Sequence, residues 1–187
     1  MKETAGNLKK GNYIKFRNDI WQISNTNFSF QGRGLANIKL KLKDVIGEKT
    51  IELSIKSGQE LEVVDIRLIK MTYLYQDKDS LYFMDENYEQ YSLGKKNIGN
   101  FFHFLIEGEK YLIVLNENKA LNIKQPEKVI LLVTEAHSAV KGDTTGSAKK
   151  LVTTQTGYKV LVPLFIKNGD SISINPDSGE YIERKNS

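Results

Sequence analysis

The run ANIKLKLKD, residues 36–44, constrains the fold most, because apolar and basic residues alternate in it without interruption. Successive side chains of a β-strand point to opposite faces, whereas a helix would scatter both kinds of residue around its circumference. The segment therefore predicts a strand with one buried and one solvent-facing side. The buried side would carry Ile38, Leu40 and Leu42, and the basic side Lys39, Lys41 and Lys43.

Similar short alternating runs recur along the chain and are separated by turn-forming residues. YIKF and IWQI flank Arg17-Asn18-Asp19 and predict a hairpin that places Trp21 in a core. The run 71–93 predicts a meander in which Tyr73 and Tyr75 share a face. The chain has 9 Tyr, 8 Phe and 14 Gly but only 3 Pro, which favours strands and turns over long helices. We therefore expect a mainly β protein.

The strand runs group into three sets, each large enough for a small β-barrel. We predict an SH3-like domain over 1–64, a central oligonucleotide-binding-type (OB) barrel over 65–126 and a second OB barrel over 127–187. Gln125-Pro126-Glu127 is predicted to be a short linker, because proline cannot donate to a central ladder. The exception to the β pattern is 94–109, where apolar residues at intervals of three and four predict a helix.

A lone arginine stands between two glycines where the first domain reverses direction. Glycine accepts the positive φ values of a tight turn, so Gly32, Arg33 and Gly34 are predicted to form a hairpin tip. The side chain of Arg33 would then project from the apex.

The basic excess of the chain lies in its first third. Residues 1–63 hold 11 Lys and Arg against 7 Asp and Glu, while 64–126 hold 8 against 9 and 127–187 hold 8 against 7. Lysines on one strand face stand roughly 7 Å apart, comparable to the phosphate spacing of a nucleic-acid strand. The pattern is compatible with an RNA-binding face and equally with a plain solvated face.

The sequence contains no convergent catalytic or metal-binding set. It has no cysteine, and neither His103 nor His137 has a second ligand at metal-binding spacing. KGDTTG, 141–146, lacks the spacing of a phosphate-binding P-loop. We expect a protein that is not an enzyme, has no catalytic residue and holds neither metal nor cofactor. The residues themselves indicate an RNA- or ribonucleoprotein-binding protein.

No window of the chain approaches the length of a membrane-spanning apolar helix, and no apolar signal region follows the first lysines. We expect a cytoplasmic monomer that does not contact membranes.

Three segments of the chain resemble the bacterial elongation factor P family, which is related to initiation factor 5A. They are TYLYQDKDSLYFMDENYEQYSL (72–93), KGDTTG (141–146) and GYKVLVPLFIKNGDSISINPDSGEYIER (157–184). The resemblance implies an SH3-like domain of the KOW type followed by two OB domains. It also implies a translation factor that binds the 70S ribosome between the peptidyl and exit sites. Such a factor promotes peptide-bond formation at consecutive prolines by positioning the peptidyl-tRNA, here a prolyl-tRNA.

The resemblance also assigns roles to particular residues. Arg33 would reach the CCA end of the peptidyl-tRNA, and the three lysines would continue the contact along the tRNA. The loop residues that would approach messenger RNA in the exit site are Gly142, Asp143, Thr144 and Thr145. Tyr181 and Arg184 match the C-terminal motif of the third domain, which lies near the small subunit.

The tip departs from the usual family pattern. Gln31 replaces a proline and Arg33 replaces the common lysine, which excludes lysine-type modification. A subgroup of members with arginine at the tip is rhamnosylated by a glycosyltransferase, but the loop of this subgroup usually lacks the second glycine, here Gly34. Arg33 is therefore either rhamnosylated or unmodified.

Two alternative interpretations follow from the same residues. One is an elongation factor P-like paralogue that relieves a different range of stalling sequences. The other is an OB protein of another class, which would bind a small molecule in a concave pocket and show little salt-dependent affinity for RNA.

Overall fold

The computed structural model describes residues 1–29, 36–46, 49–136 and 149–185. Within these ranges the chain forms three antiparallel sheets, one after another along the sequence. The prediction of a mainly β protein built from three small barrels is confirmed.

The first sheet is six-stranded, in the order β1-β6-β2-β3-β4-β5. Its strands are β1 (Lys2–Thr4), β2 (Tyr13–Phe16), β3 (Asp19–Ser29), β4 (Asn37–Asp44), β5 (Thr50–Lys56) and β6 (Glu60–Val64). A short 3₁₀ turn, Ala5–Asn7, follows β1. The hairpin predicted at Arg17-Asn18 is confirmed, because both residues adopt positive φ between β2 and β3. Trp21 is 5% exposed and donates its indole N–H to the Phe16 carbonyl.

The second and third sheets share one strand order. In each, the first strand lies between the second and the fourth, and the fifth pairs with the fourth. The second sheet contains β7 (Ile66–Gln76), β8 (Ser80–Met84), β9 (Gln90–Gly94), β10 (Lys110–Asn116) and β11 (Lys119–Ile123). The third contains β12 (Val129–Ala136), β13 (Lys149–Thr154), β14 (Lys159–Pro163), β15 (Ser171–Ile174) and β16 (Tyr181–Lys185). This is the five-strand arrangement expected of an OB barrel.

The helix predicted over 94–109 is wrong in type and length. The structure has two short 3₁₀ segments, Lys95–Asn97 and Gly99–Phe104. Gly99 has a φ of 54° and interrupts a regular helix after Ile98. The buried residues Ile98, Phe101 and Phe104 recur every three positions, which is the period of a 3₁₀ helix.

The prediction that Tyr73 and Tyr75 share a face is also wrong. Tyr73 is 2% exposed and Tyr75 is 47% exposed. The pairing of β7 with β8 shifts register between the two tyrosines. A bulge of this kind inserts one residue into the strand and turns the following side chain to the other face.

One hydrophobic core runs through both OB barrels, whereas the first domain has a core of its own. Phe104 of the second domain and Tyr158 of the third pack with ring centroids 4.6 Å apart. The first and second domains meet at a hydrogen bond from the Asn122 side-chain amide to the Val45 carbonyl, at 2.6 Å.

The domain bounds 1–64, 65–126 and 127–187 stay predictions, since strand positions alone do not define units of folding. Among the described residues, no helix is long and apolar enough to cross a membrane.

Candidate nucleic-acid interface

The predicted alternation of β4 is confirmed. Ile38, Leu40 and Leu42 are completely buried in the core of the first domain, while Lys39, Lys41 and Lys43 are exposed. The strand is held between β3 and the edge strand β5, and its basic face lies on the outer surface of the sheet. The backbone therefore presents the three lysines in a fixed row.

Two of these lysines line a shallow cleft together with a third that sequence reasoning missed. The cleft is lined by Lys10, Ser24, Asn25, Lys41, Lys43 and Thr50. A bulge in β3 near Ser24 turns that residue so that its hydroxyl donates to the Lys41 carbonyl at 2.9 Å. The lining thus combines three ammonium groups with hydroxyl and amide groups and includes no carboxylate, which suits a phosphate group.

In the described ranges, no carboxylate forms an ion pair with the lysines of this face. The register places Glu52 opposite Lys41, but the part of the chain that the structure describes contains no ion pair within 4.0 Å of Lys39, Lys41 or Lys43. Their positive charge is therefore directed to solvent, where a polyanion could approach.

The connection between β3 and β4 carries the predicted tip. The two strands pair up to Ser29 opposite Asn37, so the chain reverses between these residues. Gly32, Arg33 and Gly34 lie outside the described residues, and their role stays a prediction.

Two tyrosines of the second domain have raised pKa values because they are buried. Burial raises the pKa of Tyr73 to about 12 and also raises the pKa of Tyr111. Both rings pack in the core of the second domain, where a neutral phenol is the stable form.

His103 is exposed on the Gly99–Phe104 segment beside Phe102. Within the described ranges, no three His, Asp or Glu residues are placed to hold a metal ion.

The C-terminal strand β16 holds Tyr181 and Arg184. Tyr181 is half-buried against the core of the OB barrels, and this burial raises the pKa of its hydroxyl. The Arg184 guanidinium lies 3.9 Å from the Asp170 carboxylate and 5.6 Å from the centre of the Phe165 ring. These contacts fasten β16 to the loop before β15, so both residues have structural partners within the third domain.

Family models match all three domains. The Elongation factor P (EF-P) KOW-like domain matches residues 4–61, the Elongation factor P (EF-P) OB domain matches 66–123, and Elongation factor P, C-terminal, matches 129–184. Elongation factor P of Leptospira biflexa is 38% identical over 180 residues, covering 96% of both chains. The chain belongs to the elongation factor P family. Elongation factor P of Thermotoga maritima is 36% identical over 181 residues, covering 96% of this chain and 98% of its own.

A solved structure has a similar fold over two thirds of this chain. It is the eukaryotic translation initiation factor 5A from Methanococcus jannaschii, with a TM-score of 0.56 and 20% identity. The match covers 67% of this chain and 92% of that chain. The KOW-like and OB domains predicted for an elongation factor P family member are thus confirmed.

The loop that the family resemblance predicts to approach messenger RNA lies outside the described residues. Gly142, Asp143, Thr144 and Thr145 all lie within 137–148, outside the described residues. The strands that flank this range, β12 and β13, pair with each other. The expected approach of this loop to messenger RNA stays a prediction.

Sequence reasoning missed Lys10 because it sits in a turn, outside any alternating run. Two hydrogen bonds hold the turn that contains Lys10 near β4. The Lys9 amide donates to the Asn12 side chain, and the Gly11 amide donates to the Ile23 carbonyl of β3. The Lys-Lys-Gly run at 9–11 is basic, but local sequence gives no sign that it meets β4.

Proposed function

We propose that this chain is a translation elongation factor that binds the 70S ribosome between the peptidyl and exit sites and stimulates peptide-bond formation at consecutive prolines. The observation that carries the proposal is the match to elongation factor P relatives over 96% of the chain. The factor itself supplies no reacting group. It orders the CCA end of a peptidyl-prolyl-tRNA so that the ribosome's own centre reacts faster.

The exposed lysines of β4 support the proposed contact with tRNA. They are unpaired among the described residues and stand on the strand that leads away from the 30–36 connection. Lysine and arginine contacts to phosphate position a protein on nucleic acid without reading its sequence. A factor that must act on peptidyl-tRNA at many different genes needs this kind of contact.

Arg33 is the residue we propose at the tRNA end. Proline fixes φ and restricts the preceding residue, so a nascent chain ending in prolines is held away from a reactive geometry. A planar guanidinium with five donors can bind phosphate and sugar oxygens together. We further propose that this chain is an arginine-tip variant of the family. Arg33 would be the site of any modification, which would be rhamnosylation by a glycosyltransferase.

The third domain would face the small subunit. We propose that Gly142, Asp143, Thr144 and Thr145 approach messenger RNA in the exit site. Tyr181 and Arg184 would act indirectly, by holding β16 in place, since both have partners within the domain.

The test is synthesis of a reporter with three consecutive prolines in a reconstituted translation system that lacks any such factor. The protein is purified from its own organism, so that any modification is retained. We expect the added protein to restore full-length product. Ribosome binding without rescue would favour the paralogue, and rescue of other stalling sequences would identify its range. Failure to bind ribosomes would refute the proposal and favour an OB protein of another class.

A further inference from the structure

The second domain carries two stacked tyrosines on one face of its sheet, and in the described part of the chain Tyr75 is exposed and Tyr82 partly exposed. Tyr75 of β7 and Tyr82 of β8 are register partners, with ring centroids 4.7 Å apart and planes 22° from parallel. Tyr75 is 47% exposed, and its hydroxyl accepts a hydrogen bond from the Gln90 side chain. Ser92 of β9 continues the face beside Tyr82. The pair forms an aromatic surface across two adjacent strands, and Ser92 and Gln90 extend the same face onto the third.

The Asp77 carboxylate holds the tyrosine stack in place through a hydrogen bond from Tyr82. The Tyr82 hydroxyl donates to Asp77 Oδ2 at 2.8 Å, and the Asp79 and Ser80 amides donate to Asp77 Oδ1. The hydrogen bond from Tyr82 lowers the pKa of Asp77 and so favours its charged form. An aromatic surface and a fixed negative charge therefore lie side by side.

The strands and turns that carry this face are rich in carboxylates, in contrast to the net positive chain, and Lys95 is the cation that acts on Asp77. Residues 75–92 contain five carboxylates and one lysine. Glu86 has a partner in Lys110 at 3.7 Å. Within the part of the chain that the structure describes, no cation lies within 4.0 Å of the carboxylates of Asp77, Asp79 or Glu89.

This charge decides between two kinds of partner. The sheet face of an OB barrel with exposed aromatic rings commonly binds single-stranded nucleic acid through base stacking. Here the carboxylates beside the rings would repel each phosphate that a stacked base brings with it. A guanidinium satisfies both features, since it stacks on an aromatic face and pairs with a carboxylate.

We propose that the face formed by Tyr75, Tyr82, Gln90 and Ser92 docks an arginine-rich segment of a ribosomal protein. The inference rests on the proposed function for the source of that segment, and it adds a protein contact to a factor whose other contacts are with RNA. A guanidinium would stack on the exposed side of Tyr75, and the negative charge of Asp77 and the neighbouring carboxylates would attract it.

The isolated protein tests the chemistry of the face without a ribosome. The ¹⁵N-labelled full chain is titrated with an (Arg-Gly)₅ peptide, a (Lys-Gly)₅ peptide of equal charge and a nine-residue uridine oligonucleotide. We expect the arginine peptide to shift the amides of Tyr75, Tyr82 and Ser92 and to bind about threefold to tenfold tighter than the lysine peptide. Equal affinity for the two peptides, tighter oligonucleotide binding at these residues, or no shifts at all would each overturn the proposal.

Matched variants separate recognition from folding. Tyr75→Phe keeps the aromatic ring and should keep the preference for arginine, whereas Tyr75→Leu keeps an apolar side chain and should lose it. Asp77→Asn should weaken binding of both peptides, and Asp177→Asn, an exposed carboxylate of the third domain, should not. An arginine preference that survives Tyr75→Leu would contradict stacking on this ring.

A photocrosslinking side chain at Tyr75 tests the ribosomal source. We expect crosslinks to a ribosomal protein segment that contains arginine, identified by mass spectrometry of the crosslinked peptide. Crosslinks to RNA, or none from ribosomes that sediment with the factor, would overturn the proposal. Failure to sediment with ribosomes would instead refute the proposed function, and the peptide titration would still decide what the face binds.

Discussion

The Tyr158 hydroxyl occupies the space that a side chain on Gly179 would need. It donates to the Gly179 carbonyl at 3.3 Å, and a Cβ added to Gly179 would collide with the same oxygen. Gly179 also has a φ of +72°, which disfavours any other residue. Because the Tyr158 ring packs against Phe104, the turn at Gly179 supports the contact between the two OB barrels.

Gly179→Ala should therefore destabilise the protein by about 2 to 3 kcal/mol, from backbone strain and the collision together. Urea denaturation measures the change. Gly169→Ala is the matched control, because Gly169 has a φ of +88° but no atom within 4 Å of the position that an alanine methyl group would take. The control should cost about 1 kcal/mol. Equal losses in the two variants would mean that the Tyr158 contact contributes nothing.

The strand pattern was predictable because burial imposes a period of two. Ile38, Leu40 and Leu42 all face one core, and a shift of one residue would expose every one of them. Bulges were not predictable in the same way. The register shift between Tyr73 and Tyr75 occurs without a glycine or proline to mark it, since it depends on how β7 pairs with β8.

The helix error has a related cause. Apolar residues at intervals of three and four fit an α-helix and a 3₁₀ helix alike over a short segment. The positive φ of Gly99 prevents a continuous helix. The residues that are buried, Ile98, Phe101 and Phe104, follow the three-residue period of a 3₁₀ helix. The lysine row of the candidate site followed from the alternation of β4, whereas its extension to Lys10 depended on the fold of a turn that the alternation did not include.

The hydrogen bond from Tyr82 should control the titration of Asp77. It holds the pKa of that carboxyl below its ordinary value of 3.8. The native state then binds fewer protons than the unfolded state. The bond therefore stabilises the fold at pH values above the unfolded-state pKa of 3.8, and this stabilisation is lost as the pH falls through the lower pKa of the folded state. Tyr82→Phe should raise the pKa of Asp77 toward 3.8, measured by carboxyl ¹³C chemical shifts.

Tyr91→Phe is the control for that titration, since the Tyr91 hydroxyl donates to Glu89 and not to Asp77. It should leave the pKa of Asp77 unchanged. A Tyr82→Phe protein whose Asp77 titrates as before would show that the backbone amides of Asp79 and Ser80 and the charge of Lys95 set the pKa without Tyr82.

Replacing Lys39, Lys41 and Lys43 with Gln should weaken ribosome binding and reduce its salt dependence. Each lost phosphate contact should lower the slope of log affinity against log salt by about 0.7 to 0.9, so three should lower it by about 2 to 3. Affinity measured across a salt series gives the slope.

Lys149, Lys159 and Lys167 provide a control with the same change in net charge, because all three are exposed on the third domain. Their replacement with Gln should change the slope less. If the β4 variant keeps the full slope, these lysines form only a solvated face.

The most direct test of the central claim compares two arginines predicted at hairpin tips of the first domain, Arg33 and Arg17. Each is replaced with alanine, and synthesis of the triple-proline reporter is measured beside the thermal midpoint of each protein. We expect Arg33→Ala to lower the rate of full-length synthesis by about tenfold or more. Arg17→Ala, at the β2–β3 turn, should keep it, and the stability of both variants should change by less than about 1 kcal/mol. Full activity of Arg33→Ala, or a loss equal to that of Arg17→Ala, would contradict the proposed role of the tip.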